Sequence, residues 1–86
     1  MKNNRNLKVA VVMGSQSDYK TMQLSAKILK KMGIKFETKI ISAHRTPERM
    51  YKFASSAAKN NIGVIIAGAG GSAHLPGMIA ALTSIP

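Results

Sequence analysis

The sequence has no cysteine, which excludes disulfide staples and thiolate metal ligands and fits a reducing compartment. Carboxylates are nearly as scarce: Asp18, Glu37 and Glu48 are the only three, and everything after Glu48 is neutral or basic. Since Glu37 falls inside a predicted strand, a mechanism built on paired carboxylates has little to draw on. No apolar run approaches the roughly 20 residues that a membrane span requires. Leu7–Met13, the first apolar stretch, is not followed by the small-residue cleavage site of a secretory signal. The expected location is the cytoplasm. A P-loop and the Gly-x-Ser-x-Gly elbow of serine hydrolases are both missing, as are internal repeats, low-complexity tracts and interdomain linkers.

What remains is a basic, moderately apolar chain of 86 residues with a formal charge of +10 and 45% hydrophobic residues. That length makes one domain at most, over residues 1–86, and buries only about 60–65% of the unfolded surface. Basic chains of this size often bind nucleic acid. Here Lys20, Lys27 and Lys31 recur at helical spacing without interleaved aromatics, so they read as the solvated face of a helix and not as a base-stacking platform. Neither nucleic acid nor membrane is an expected partner.

Leu7–Met13 is short, rich in valine and almost continuously apolar, the composition of a strand buried on both faces of a parallel sheet. Gly14 ends it, and Asp18 is placed to cap a helix from Tyr19 to about Met32, with Gly33 as its stop. Met22, Ala26 and either Leu29 or Ile28 form that helix's apolar stripe. Ile34–Ile41 reads as a second strand. Thr46, Pro47 and Glu48 are a cap, a first-turn proline and a dipole-matched acid, predicting a helix to Asn60 or Asn61. Ile62–Ala67 is a third strand, followed by a glycine-rich loop and a short helix from Met78 to about Thr83. This alternation predicts an α/β fold with right-handed crossovers. Three parallel strands leave two open edges, so the expectation is the N-terminal part of a larger domain, or a chain that depends on self-association.

In such sheets ligands bind outside the carboxyl ends of the strands, and three loops lead there. Gly14-Ser15-Gln16-Ser17-Asp18 opens a helix, where free N–H groups collect phosphates. Asp18 either caps that helix or accepts from ribose hydroxyls. Ser42-Ala43-His44-Arg45-Thr46-Pro47 sets an imidazole, able to exchange protons near neutral pH, beside a guanidinium that can clamp phosphate or carboxylate. With so few other acid–base groups, His44 is the natural proton carrier. Gly68–Gly77 superficially matches a dinucleotide loop, but it follows the wrong strand and no acidic residue lies about 20 positions beyond it. A backbone-lined anion nest fits better, with His74 fixing the loop. His44, His74 and Asp18 match no compact metal-ligand spacing; no metal is expected.

Together, Val12–Asp18, Ser42–Pro47 and Ile66–Met78 strongly resemble one family, the 5-(carboxyamino)imidazole ribonucleotide mutases of purine biosynthesis. The resemblance runs from about Leu7 to Pro86. It implies a flavodoxin-like three-layer α/β/α fold, here incomplete, and a homo-octamer whose sites form between subunits. It also implies movement of a carboxylate from the exocyclic nitrogen of the imidazole nucleotide to ring carbon 4, with no cofactor. Ser15 and Asp18 match positions that hold the phosphate and ribose, Arg45 the phosphate-binding arginine, and His44 the general acid–base. Ser42, Gly70 and Gly71 would surround the migrating carboxylate. Members run considerably longer, with further strands and a C-terminal helix. The sister class of direct aminoimidazole ribonucleotide carboxylases shares these motifs, and a non-catalytic phosphate- or nucleotide-binding fragment is the remaining alternative.

Overall fold

The computed structural model describes residues 7–71 and 74–86. Three strands, β1 (Lys8–Met13), β2 (Phe36–Ile40) and β3 (Ile62–Gly68), alternate with helices α1 (Tyr19–Lys31), α2 (Pro47–Ser56) and α3 (Leu75–Ala80). All pairing is parallel, in the order β2-β1-β3, with Val11 opposite Thr38 on one side and Ile66 on the other. The chain therefore starts in the middle of the sheet and steps outward to each edge in turn.

β1 explains the layering. Its side chains alternate between faces, and both faces are covered. Ala10 and Val12 point into a core with Ile41, Met50, Phe53, Ala54, Ala57, Leu75 and Ile79. Val11 and Met13 point the other way, onto Leu29 and the partly buried Met22 and Phe36. α1 thus covers one face while α2 and α3 cover the opposite one, giving three layers. This is the expected flavodoxin-like α/β arrangement with a partial sheet. Burial of each large aliphatic side chain contributes about 1.5–3 kcal/mol, and it is concentrated where β1 is sandwiched.

The helix stripe that the sequence left open resolves to Leu29: it is buried, whereas Ile28 stays 58% exposed. α1 ends in a Schellman motif. Gly33 adopts φ 74°, its N–H donates to the Lys30 carbonyl at 3.1 Å, and Ile34 N–H reaches Leu29 O at 3.0 Å. That closure explains why β2 starts at Phe36 and not at Ile34, whose donor is already used.

Two helices differ from expectation. Regular α2 stops at Ser56, short of Asn60 or Asn61. The chain tightens through a turn closed by Asn61 at φ 65°, with Ile62 N–H on Ala57 O at 3.0 Å and Asn61 N–H on Ala58 O at 3.1 Å. α3 lies three residues earlier than predicted, because Pro76 belongs to its first turn and not to the preceding loop. Proline is tolerated there, where a missing N–H costs no helical bond, and the shift buries Leu75 and Ile79 on one side.

Asn61 holds a left-handed conformation that glycine adopts without penalty. Asn61→Gly is expected to raise stability by up to about 1 kcal/mol and Asn61→Val to lower it by at least about 1 kcal/mol. Urea midpoints of the two variants against the parent chain check the sign of each.

Candidate active site

Parallel pairing brings the carboxyl ends of all three strands to one edge, so the loops after them must meet. They enclose a cleft of about 310 Å³ lined by Gly14, Ser15, Ser17, Asp18, Ser42, Ala43, Arg45, Gly70 and Leu75. Five residues singled out from the sequence, Ser15, Asp18, Ser42, Arg45 and Gly70, share this one cleft although they come from three separate loops. Gly71 and His44 fall outside its lining.

The first loop is held by its own polar groups. Gln16–Asp18 form a single 3-10 turn ahead of α1. Asp18 precedes α1 in sequence but does not cap it through its side chain. Its backbone is already helical, so the carboxylate turns back toward residues before it. Oδ2 accepts from Ser15 N–H at 3.1 Å and from Ser15 Oγ at 3.3 Å, a short version of the capping box. Ser15 and Ser17 hydroxyls are 2.7 Å apart and hydrogen-bonded. Oδ1 faces Gly70: a Cβ added to that glycine would stand 3.6 Å from it. The missing side chain of Gly70 therefore leaves the carboxylate open to the cleft.

The second loop is a knot tied by Thr46. Its hydroxyl donates to Ser42 O at 3.0 Å and accepts from Ser42 N–H at 3.1 Å, while Thr46 N–H also reaches Ser42 O at 2.9 Å. Thr46 thus makes no side-chain cap on α2, contrary to expectation, because its hydroxyl is spent on the preceding turn. Ser42 Oγ accepts from Arg45 N–H at 3.0 Å, so its own proton stays available to a ligand. Ser42 and Arg45 are consequently presented together by one closed turn.

The third loop carries the one feature that sequence reasoning undervalued. His74 has φ 64°, a left-handed conformation uncommon outside glycine, in which asparagine, aspartate and histidine are the side chains most often found. Its ring lies edge-on to that of His44, with centroids 5.9 Å apart and planes at 81°. His74 does more than fix its own loop: it packs against the candidate proton carrier. The repeated histidine next to a Leu-Pro helix start was the available signal. Leu75, which was not singled out, closes the cleft from below as a fully buried side chain. Part of the Gly68–Gly77 motif, residues 72 and 73, lies outside the described residues. Among the described residues no three histidine, aspartate or glutamate side chains gather as a metal site would need, and no helix is long and apolar enough to cross a membrane.

An open parallel sheet with helices on both faces and a cleft at its carboxyl edge is the architecture of the doubly wound α/β class. The AIR carboxylase family matches residues 8–86, nearly the whole chain, and the chain belongs to that family. It is 58% identical over 80 residues to the N5-carboxyaminoimidazole ribonucleotide mutase of Vibrio parahaemolyticus, covering 93% of this chain and 50% of that protein. Against the mutase of the same name from Escherichia coli it is 53% identical over 83 residues, 96% of this chain and 49% of that one. A segment of the bifunctional purine synthesis protein purC/E of Dictyostelium discoideum is 55% identical over 78 residues, 91% of this chain but 8% of that protein. The chain spans about half the length of the two mutases.

Thr46→Val keeps the shape of the side chain but removes both hydroxyl bonds to Ser42. The expected loss is about 0.5–1.5 kcal/mol of local stability, read as faster hydrogen exchange at the Ser42 amide than at the β1 amides. Unchanged exchange at Ser42 would mean that the knot is held by backbone alone.

Proposed function

We propose that this chain carries the nucleotide-binding part of a carboxyaminoimidazole ribonucleotide mutase. The reaction moves a carboxylate from the exocyclic nitrogen to ring carbon 4 of 5-(carboxyamino)imidazole ribonucleotide, in purine biosynthesis. One observation carries the reading: Ser15, Asp18, Ser42, Arg45 and Gly70, from three loops, line one cleft at the carboxyl edge of the sheet. Membership of the family and the names of its relatives support it.

The assigned roles follow the chemistry of each group. The guanidinium of Arg45 clamps the phosphate, as its planar fork suits. Ser15 offers a hydroxyl to the phosphate, and Asp18, engaged through Oδ2 only, accepts from the ribose through Oδ1. Ser42, with Gly70 and Gly71, surrounds the carboxylate in transit. Gly71 suits this role because its φ of 55° turns the backbone back on itself without a side chain in the way.

His44 is the proton carrier. It protonates the exocyclic nitrogen as the C–N bond breaks and carbon dioxide leaves. Ring carbon 4 then attacks the trapped carbon dioxide, and the neutral imidazole removes the proton from that carbon. The two transfers run in opposite directions, so one histidine serves both and ends protonated as it began. Holding carbon dioxide against a weak nucleophile is a proximity problem, and a narrow glycine-lined pocket addresses it. No cofactor enters these steps. His44 follows Ser42 and precedes Arg45 on the loop that lines the cleft, and its ring stands edge-on to that of His74.

The chain is further proposed to be the N-terminal part of a longer cytoplasmic domain, or to obtain the remainder by self-association as an octamer. A second reading, direct carboxylation of aminoimidazole ribonucleotide, is favoured by the name of the matching family.

Product formation from the carboxyamino nucleotide without added bicarbonate tests both readings. The mutase reading expects turnover by the parent chain and a fall of about 10²–10⁴ in kcat for His44→Asn. Turnover only with aminoimidazole ribonucleotide and bicarbonate would establish the carboxylase instead. Binding unaffected by His44→Asn, with no turnover from either substrate, would leave a non-catalytic binding module. Arg45→Gln is expected to raise KM by about 10- to 100-fold, the equivalent of roughly 1.5–3 kcal/mol from a charge-assisted contact.

A further inference from the structure

A second concave surface lies away from the cleft and shares no lining residue with it. It is a groove of about 470 Å³ between β2 and α2 that reaches the amino edge of the sheet, where Lys8 and Ile62 begin their strands. Glu37 and Lys39 alternate with Thr38 on β2 and so share a face, while Arg49, Lys52 and Ser56 recur along one side of α2, with Lys59 continuing that side into the next turn.

The charge balance of this groove is one-sided. Lys8, Lys39, Arg49, Lys52 and Lys59 line it against the single carboxylate of Glu37. Five cations less one anion leaves an excess of four. Glu37 is already taken by Lys8, Nζ to Oε1 at 3.0 Å, so Lys39, Arg49, Lys52 and Lys59 face one another without an acidic partner among the described residues. Ile41, Phe53 and Ile62 form a buried floor beneath them. Low-dielectric ground under a cluster of like charges strengthens their field, and the cost of gathering four such charges is offset when an anion binds.

We propose that this groove is an anion-binding site, distinct from the cleft, for a small molecule bearing two or more phosphate groups. Multiple phosphate charges match the excess, and Arg49 supplies the bidentate geometry that phosphate oxygens favour. Ser56 and Asn60, joined by a 3.4 Å contact at the end of α2, add neutral polar groups beside the cations. The volume suits a small ligand. A second copy of the chain is a poor occupant of this groove, because a chain with three carboxylates has no acidic patch to set against it. A nucleic-acid strand lacks its usual platform: the one aromatic in the lining, Phe53, is only 9% exposed and cannot stack bases.

The test is calorimetric titration of the chain with inorganic triphosphate, ADP, AMP and a single-stranded oligothymidylate at low salt. Triphosphate and ADP are expected to bind more tightly than AMP, with affinity falling as salt rises. The combined variant Arg49→Gln/Lys52→Gln/Lys59→Gln, whose positions are all exposed, should weaken triphosphate by at least about tenfold, equivalent to roughly 1.4 kcal/mol. Lys39→Gln, on the opposite wall, should weaken it in the same direction. Lys20→Gln, an exposed position on α1 across the sheet, removes one charge away from the groove and should leave it within about twofold. Circular dichroism of each variant confirms that the fold is kept. No binding by the parent chain, equal binding by the triple variant, or an equal loss with Lys20→Gln would each overturn the proposal. Tighter binding of the oligonucleotide than of triphosphate would do so too, and would mark the surface as a polymer track.

Discussion

Parallel pairing of β1 with both neighbours is the constraint from which the rest of the structure follows. Because β2 and β3 run in the same direction as β1, each connection must cross a face of the sheet, and a helix is the economical way to do so. The crossings bury β1 on both sides, which is why Ala10, Val11, Val12 and Met13 are the least exposed consecutive residues described. The same pairing sends every strand's carboxyl end to one edge. Three loops separated in sequence then have no choice but to meet.

Within those loops, local hydrogen bonding decides what each side chain offers a ligand. Ser15 draws Asp18 back over the first loop, and Thr46 ties Ser42 into a closed turn. In both cases a residue suited to capping a helix works one turn earlier, on the loop itself. The helices lose little, since packing against the sheet supplies most of their stability. The loops gain a defined shape before any ligand arrives, which lowers the entropy that binding must overcome.

The two concave surfaces divide the molecule by charge. The cleft sets Asp18 against Arg45 and adds the hydroxyls of Ser15, Ser17 and Ser42. The groove between β2 and α2 sets five cations against one carboxylate. A chain with three carboxylates cannot balance its lysines everywhere, and most of the surplus on α2 collects on the side facing β2.

Much of this was legible before folding was considered. The valine-rich run at Leu7–Met13 specified a strand buried on both faces, Gly33 specified a helix end, and three polar motifs at strand ends picked out the loops that meet at one edge of the sheet. These are local properties, set by side-chain periodicity and backbone preference, and a linear reading reaches them. The sequence alone could not show that Thr46 and Asp18 serve their loops and not their helices, that Pro76 sits inside α3, that His74 packs on His44, or that cations from β2 and α2 line a single groove. Each depends on which of several satisfied states a residue adopts once distant segments are brought within a few ångströms. Only the packed sheet makes that choice, because only there do the competing hydrogen-bond partners and buried neighbours exist at the same time.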